Sequence, residues 1–370
     1  MNIKIDETKV ILSHNTSFHN YFGWPTVTRL KDGRLMLVAS GMRYQHVCPF
    51  GKCIGSVSCD EGKSWSPMMI LIDTPLDDRD GGICAFGESS VIVTSFNNTT
   101  EFQRRVNVPF EDKDWDDRDK EEIEYIRAYL DVVDKGGEQE TYLGSNFIIS
   151  HDNGITFSEI HKIPITSPHG PCELPDGTLL YVGRTYTEND SDAPGDACVH
   201  CYQVFPDGSY QKVSEIEKSG DGNFVDCEPH AIVVGNKVIV HIRVQDDKGL
   251  FTIFQSEANL SDMKFSKPRQ LLSDHGGAPA HLMKHSSGAL ISTYGYREVP
   301  YGIRAMISYD DGETWSADHV IYDNGSISFD LGYPSSVELP DGKILTVYYA
   351  HPESPKKPAV VMQTIWSIEK

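Results

Sequence analysis

Ser58-Cys59-Asp60-Glu61-Gly62-Lys63-Ser64-Trp65, Ser150-His151-Asp152-Asn153-Gly154-Ile155-Thr156-Phe157 and Ser308-Tyr309-Asp310-Asp311-Gly312-Glu313-Thr314-Trp315 are three copies of one pattern, Ser-x-Asp-x-Gly-x-Ser/Thr-aromatic. Each residue type has a physical task in a hairpin. The Asp accepts backbone N–H bonds, and the Gly takes a positive φ, so the pair makes a tight turn. The aromatic anchors that turn in an apolar layer. The pattern is a folding device, and it says what the chassis is rather than what chemistry it carries.

A longer repeat runs beneath it. Six segments read as apolar strand, turn, apolar strand: 28–37, 83–93, 172–180, 231–240, 281–291 and 337–345. Their turn glycines, Gly33, Gly87, Gly177, Gly235, Gly288 and Gly342, are separated by 54, 90, 58, 53 and 54 residues. A period of that size suits a four-stranded propeller blade. The reading is all-β: one six-bladed β-propeller spanning residues 1–370. The long interval exceeds the period by too little to hold another blade. Its excess, residues 98–141, is charged, and Ile123, Ile126, Leu130 and Val133 recur at helical spacing. An amphipathic helix over Asp114–Asp134 is therefore expected as an insertion in blade 2, either a surface decoration or a lid or dimer contact. The terminal runs Lys9–Leu12 and Val360–Ile365 are expected to share a blade and close the ring, which removes open sheet edges.

The bulk composition bounds the function. The chain has 370 residues, 24% of them charged and 39% hydrophobic, which suits a globular protein with a real core. A net charge of −21 argues against nucleic acid and against anionic membrane surfaces as partners. An anionic ligand would have to be met by local arginines. No apolar leader or spanning stretch is visible, and the eight cysteines show no CxxC pair, so free thiols in a reducing cytoplasm are expected. Processing from a longer precursor would make the protein secreted instead.

In a propeller, the first strand of each blade starts near the axis. The positions about nine residues before each turn glycine are Trp24, Asp80, Pro168 beside His169, Glu228, Pro279 and Tyr333. They should meet around one pocket. Polar and aromatic groups at the mouths of apolar strands suit a sugar.

Two of these residues, with the threefold hairpin, carry a resemblance over nearly the whole chain. The hairpin resembles the Asp-box, or BNR repeat, of the sialidase superfamily. Gly332-Tyr333-Pro334 before Ser335–Tyr348 resembles the nucleophile region of sialidases. Glu228-Pro229-His230 with Arg243 resembles their glutamate strand and second arginine, and Arg304 stands where their third arginine would. The resemblance implies an exo-acting glycoside hydrolase on a terminal acidic sugar, a sialic acid or related nonulosonate first and a uronic acid second. A sialic acid carries a carboxylate on its anomeric carbon, so a neutral tyrosine nucleophile with a glutamate base suits it. Arginines grip such a carboxylate bidentately. The implied roles are Tyr333 as nucleophile, Glu228 as its base, and Arg243 and Arg304 as the clamp.

The departures are equally specific. Where sialidases carry Arg-Ile-Pro this chain has Gly23-Trp24-Pro25, and the loop Arg43–Phe50 has no acid. Arg43 is a candidate substitute for the first arginine, and Arg297 a further candidate for substrate. His46 and Asp80 are the candidate acids. His169, His230 and His281 join Trp24 as candidate lining residues. No cofactor or metal is expected, and oligomeric state is left open. Two alternatives stand beside the hydrolase: a polysaccharide lyase or histidine-dependent glycosidase on the same propeller, and a non-catalytic glycan-binding propeller.

Overall fold

Six four-stranded antiparallel units surround one axis in the computed structural model, which describes residues 2–14, 18–107, 117–187, 198–220, 224–246, 251–272 and 277–369. From the axis outward, blade I runs Tyr21–Arg29, Leu35–Arg43, Lys52–Ser58 and Met69–Ile72. Blade II runs Arg79–Phe86, Ser90–Phe96, Ser145–Ser150 and His161–Ile163. Blade III has a split inner strand, Ile165–Thr166 and Cys172–Glu173, followed by Leu179–Thr185, Val199–Val204 and Tyr210–Ile216. Blade IV runs Val225–Val234, Lys237–Gln245, Phe251–Asn259 and Arg269–Gln270, and blade V Gly277–Lys284, Leu290–Tyr296, Tyr301–Ser308 and Ser316–Gly325. Blade VI takes Gly332–Glu338, Ile344–Ala350 and Val360–Ile368, and its outer strand is Ile3–Leu12 from the other end of the chain. Val10 pairs with Met362, which closes the ring where the terminal apolar runs were expected to meet.

Second strands are covered on both sides by neighbouring blades, so they read as unbroken apolar runs rather than alternating ones. Leu35–Ala39 and Ile344–Ala350 are buried throughout. All six turn glycines named above have φ between 58° and 93°, as tight hairpins demand. The three repeated hairpins join third to fourth strands. In the first, Asp60 accepts from Ser64 N at 2.8 Å and Ser64 Oγ at 2.6 Å, and Trp65 Nε1 reaches Gln363 in blade VI at 2.9 Å. Trp315 does the same with Gln255 of blade IV. These aromatics staple adjacent blades.

The inner strands share one local irregularity. Register slips between Gly23 and Thr26, Arg79 and Gly82, Cys227 and His230, Gly277 and Ala280, and Gly332 and Ser335. At four of these bulges a non-glycine residue is left-handed: Trp24 (φ 52°), Asp80 (51°), Glu228 (49°) and Tyr333 (50°). Each such residue costs on the order of 1–2 kcal/mol. Bulges re-aim side chains, and strain of this kind gathers at functional sites. By register the equivalent in blade V is Ala278, one residue before the Pro279 expected from spacing. In blade III the break between the split strands, 167–171, takes the place of the bulge.

The inward edges of the inner strands need partners for their free N–H groups. Neighbouring blades supply them. Val27 N donates to Ser335 Oγ at 3.1 Å, Leu282 N to His230 Nδ1 at 2.9 Å and Ser336 N to His281 Nδ1 at 3.3 Å.

The insertion lies between Phe96 and Ser145 and forms α1 (Thr100–Asn107), α2 (Asp117–Gly136) and α3 (Gln139–Tyr142). The first three residues of the expected helix lie outside the described residues. Ile126 and Leu130 of α2 pack on Cys48 and Phe50, and Tyr129 Oη donates to Pro75 O at 3.0 Å. Gln45 Nε2 meets Asn107 Oδ1 at 2.6 Å. The helices therefore buttress the 44–50 loop of blade I, on the face where inner strands begin and second strands end.

Candidate active site

The bulges bring Trp24, Asp80, Glu228 and Tyr333 to one end of the axis. Tyr333 donates its phenol hydroxyl to Glu228 Oε1. Arg243 Nη1 lies 2.5 Å from Glu228 Oε2 and 3.4 Å from Tyr333 Oη, and its Nη2 reaches Gln245 Oε1 at 2.6 Å. Tyr333 is 5% exposed. Burial, and next the charge of Glu228, hold its phenol well above the ordinary range, against the pull of Arg243.

Arg297 joins this group. Its guanidinium lies 5.8 Å from the Tyr333 ring centre and 5.7 Å from Phe251, the ring on which Arg243 also rests at 4.8 Å. Arg297 Nε and Nη2 donate to Leu331 O at 3.2 and 3.1 Å. Arg304, expected in the clamp, is not brought here. It sits on the third strand of blade V, two strands out from the axis, with its guanidinium 3.5 Å over Tyr296 and 3.3 Å from Asp318. Strands lie about 4.8 Å apart, which puts its backbone on the order of 10 Å farther out than an inner-strand residue.

Arg43 also departs from expectation. It is fully buried and paired with Asp77, Nη1 to Oδ1 at 2.6 Å and Nη2 to Oδ2 at 2.9 Å, neither side chain being exposed. Its remaining bonds go to Ser40 Oγ and the carbonyl of His46. It is therefore a strut of the 44–50 loop rather than a substitute clamp. Gly51 lies against the pair, and a Cβ there would stand 2.1 Å from Arg43 Nη1 and 2.3 Å from Asp77 Oδ1. Trp24 lies between two arginines, with Arg43 and Arg79 each 4.9 Å from its ring.

Three acids precede and include Asp80, and they divide cleanly. Asp77 holds Arg43, and Asp78 accepts from Thr74 N and Oγ1. Asp80 is 6% exposed, and its Oδ1 has no hydrogen-bond partner among the described residues. With Glu228, Ser167 and Arg184 it lines a cavity of about 20 Å³. Burial pushes its carboxyl up to about 7; Arg79 opposes the rise and Glu228 adds to it.

His46 opens to solvent, with 46% of its side chain exposed, and its ring stands edge-on to Trp24 at 4.8 Å. Its Nδ1 lies 3.0 Å from Asp330 Oδ1 and 3.2 Å from Tyr21 Oη. Asp330 escaped the sequence reading, as did Tyr21, Tyr349 and His351, which also bond it. So did Arg184. One signal was available. An arginine recurs seven to ten residues after the turn glycine in blades I, III, IV and V, at Arg43, Arg184, Arg243 and Arg297. That is where second strands reach this face.

The three other candidate histidines form a buried layer deeper along the axis. Ring centres are 5.6 Å apart for His169–His230, 5.3 Å for His169–His281 and 4.4 Å for His230–His281. Burial lowers the imidazole of each, His230 to about 3. Because His230 and His281 accept backbone N–H bonds through Nδ1, they latch blades together rather than face substrate. Among the described residues, no group of three or more ligating side chains is arranged to hold a metal. Two larger grooves, of about 440 and 1010 Å³, are lined by Leu174, Val213 and Met263 and by His285, Asp341 and Glu369, and gather none of these residues.

No family model matches the sequence, and no curated protein matches it. Solved structures do. A protein of unknown function from Dyadobacter fermentans superposes with a TM-score of 0.77 at 17% identity, covering all of both chains. The NanB sialidase of Streptococcus pneumoniae gives 0.61 at 13% identity over 98% of this chain and 70% of its own. Trypanosoma rangeli sialidase, solved with the inhibitor DANA, gives 0.60 at 14% over 98% of this chain and 58% of its own. The chain is thus a divergent propeller with the sialidase fold.

Proposed function

We propose that this protein is an exo-acting glycoside hydrolase that removes a terminal acidic sugar, a sialic acid or related nonulosonate before a uronic acid. One observation carries the reading: the Tyr333 hydroxyl is bonded to Glu228 while Arg243 bridges both, at the end of the axis. The phenol keeps its proton at rest. During attack Glu228 takes that proton as Tyr333 Oη bonds to the anomeric carbon. The bond to the leaving oxygen breaks, and His46 protonates that oxygen. Water, losing a proton to His46, then attacks the same carbon. Tyr333 leaves and regains its proton from Glu228. Arg243 and Arg297 hold the sugar carboxylate by charge-assisted bonds.

Asp80 is closed off beside Glu228 and shapes that carboxylate's surroundings. His46 is the group open to a leaving alcohol. That the 43–50 loop holds a histidine and no carboxylic acid also favours a second reading, a lyase in which Tyr333 and His46 exchange protons with a uronate. Aryl glycosides of sialic acid and of uronic acids, assayed with acidic oligosaccharides, test both. Release of a saturated acidic sugar supports the hydrolase. New ultraviolet absorbance from an unsaturated product supports the lyase. Turnover of neither class, in folded protein, would reject catalysis on acidic sugars.

A further inference from the structure

The entry of blade VI holds a carboxylate with four partners. Asp330 Oδ1 accepts from His46 Nδ1 at 3.0 Å and from Tyr349 Oη at 3.0 Å. Oδ2 accepts from Tyr21 Oη at 2.9 Å and from His351 Nε2 at 3.0 Å. Both oxygens are thus fully engaged by donors, which is an environment for the anion. Burial alone would raise this carboxyl, but the bonds from His351 and His46 hold it well below the ordinary range.

His351 has no freedom in its protonation. Its Nδ1 faces the carbonyl oxygen of Lys357 at 2.6 Å, and its Nε2 faces the Asp330 carboxylate. Neither partner can donate, so both nitrogens must carry hydrogen, and the ring is an imidazolium. Burial is the largest single effect and opposes that charge, but the bonds to Asp330 and to Lys357 O, with the Asp330 charge, together outweigh it and raise the imidazole above its ordinary range. His46 differs. Its Nδ1 is fixed as a donor by Asp330, and its Nε2 has no partner among the described residues.

We infer that His351 and Asp330 form an imidazolium–carboxylate pair that orients His46 and sets how readily His46 takes and gives its proton. This rests on the reading of His46 as the proton carrier. Asp330 is a positioning residue: it fixes the tautomer so that Nε2 points the lone pair or the proton outward. His351 tempers it. Alone, the carboxylate would make His46 strongly basic, and the imidazolium offsets that charge. Burial lowers the His46 imidazole most, Asp330 opposes that, and Arg79 and Arg43 act in the same sense as His351; Arg297 lies against Tyr349 on the opposite side. A bare His–Asp couple would hold its proton too tightly to protonate a leaving group and then take a proton from water near neutral pH.

Nuclear magnetic resonance of the ring-labelled histidines reads this without any substrate, with His46 assigned through His46→Gln. In the wild-type protein at pH 7.5, His351 should show both ring nitrogens protonated. His351→Gln keeps two N–H donors but removes the charge, so the His46 midpoint should rise by about one pH unit. Asp330→Asn should lower it by about one unit. Shifts of opposite sign are the signature, since a purely structural role would move both the same way or neither. A neutral His351 at pH 7.5, or a His46 midpoint unmoved in His351→Gln, overturns the inference. Should Asp330→Asn fail to fold, those two readings still decide it. Failure to turn over acidic glycosides would count against the hydrolase and leave these titrations standing.

Discussion

Exchanging the arginines one at a time separates a substrate clamp from a blade strut. Arg297→Ala removes a guanidinium that faces Tyr333 and Phe251 beside Arg243. Two charge-assisted bonds to a substrate carboxylate would be lost, and the carboxylate would be left partly unpaired. The expected cost is about 2–5 kcal/mol in kcat/KM, or roughly 30-fold to several thousand-fold. A structural cost accompanies it, because Leu331 O loses two donors. That loss is on the order of 1–2 kcal/mol. Arg297→Lys should recover only part of the activity, since an ammonium lacks the planar fork. Arg304→Ala is the internal contrast. Its partner Asp318 is 42% exposed. Surface pairs contribute about 0–1 kcal/mol, so the melting temperature should move by a few degrees at most. Its kcat/KM should stay within about threefold of wild type. Steady-state kinetics and thermal melts on the three variants decide the matter. Full activity in a folded Arg297→Ala protein, or a collapse in Arg304→Ala, would refute the assignment of the clamp to the ends of second strands.

Tyr333→Phe and Glu228→Gln should each lower kcat by at least about a thousandfold, because they remove the nucleophile and its base. The melting temperature should stay near wild type in Tyr333→Phe and fall in Glu228→Gln, which leaves the buried Arg243 without its charge partner. Asp80→Asn tests linkage by pH-dependent melting. The Asp80 carboxyl is raised to about 7, so the folded state binds more protons than the unfolded state between the ordinary value and pH 7. Wild-type stability should therefore fall as pH rises through that window, and Asp80→Asn should flatten the fall, gaining on the order of 1–3 kcal/mol at pH 8. An unchanged slope would place the Asp80 proton elsewhere. Gly51→Ala would drive a methyl into the Arg43–Asp77 pair. Disrupting a fully buried ion pair costs about 3–5 kcal/mol, and denaturant melts would read it directly.

The fold was legible because it repeats. Six turn glycines at a near-constant interval specify the blades, and the interval broken after Gly87 marks the insertion. Glu228 and Tyr333 were legible for the same reason, since each follows from one position counted along an inner strand. The bulge that aims them was not, because a left-handed φ at Trp24 or Glu228 leaves no trace in residue type. Arg304 misled because position before the third hairpin fixes the strand and not its distance from the axis. Arg297 stands just past a second strand and reaches the site because those strands end at this face. Arg43 could not be told from a ligand arginine without seeing Asp77 close on it from a loop 34 residues away. His230 and His281 read as lining groups because sequence does not reveal an unpaired N–H on the next blade. Asp330, three residues before Tyr333, gained meaning only once Tyr21, His46, Tyr349 and His351 converged on it from both ends of the chain.

In the proposed reaction Tyr333 bonds covalently to the sugar. Mass spectrometry of peptides from protein quenched during reaction with a fluorinated, slowly released acidic glycoside tests it most directly. The expected result is one sugar mass added to the peptide containing Tyr333, absent in Tyr333→Phe. An active enzyme that carries no adduct on Tyr333, or carries it on another residue, would contradict the account.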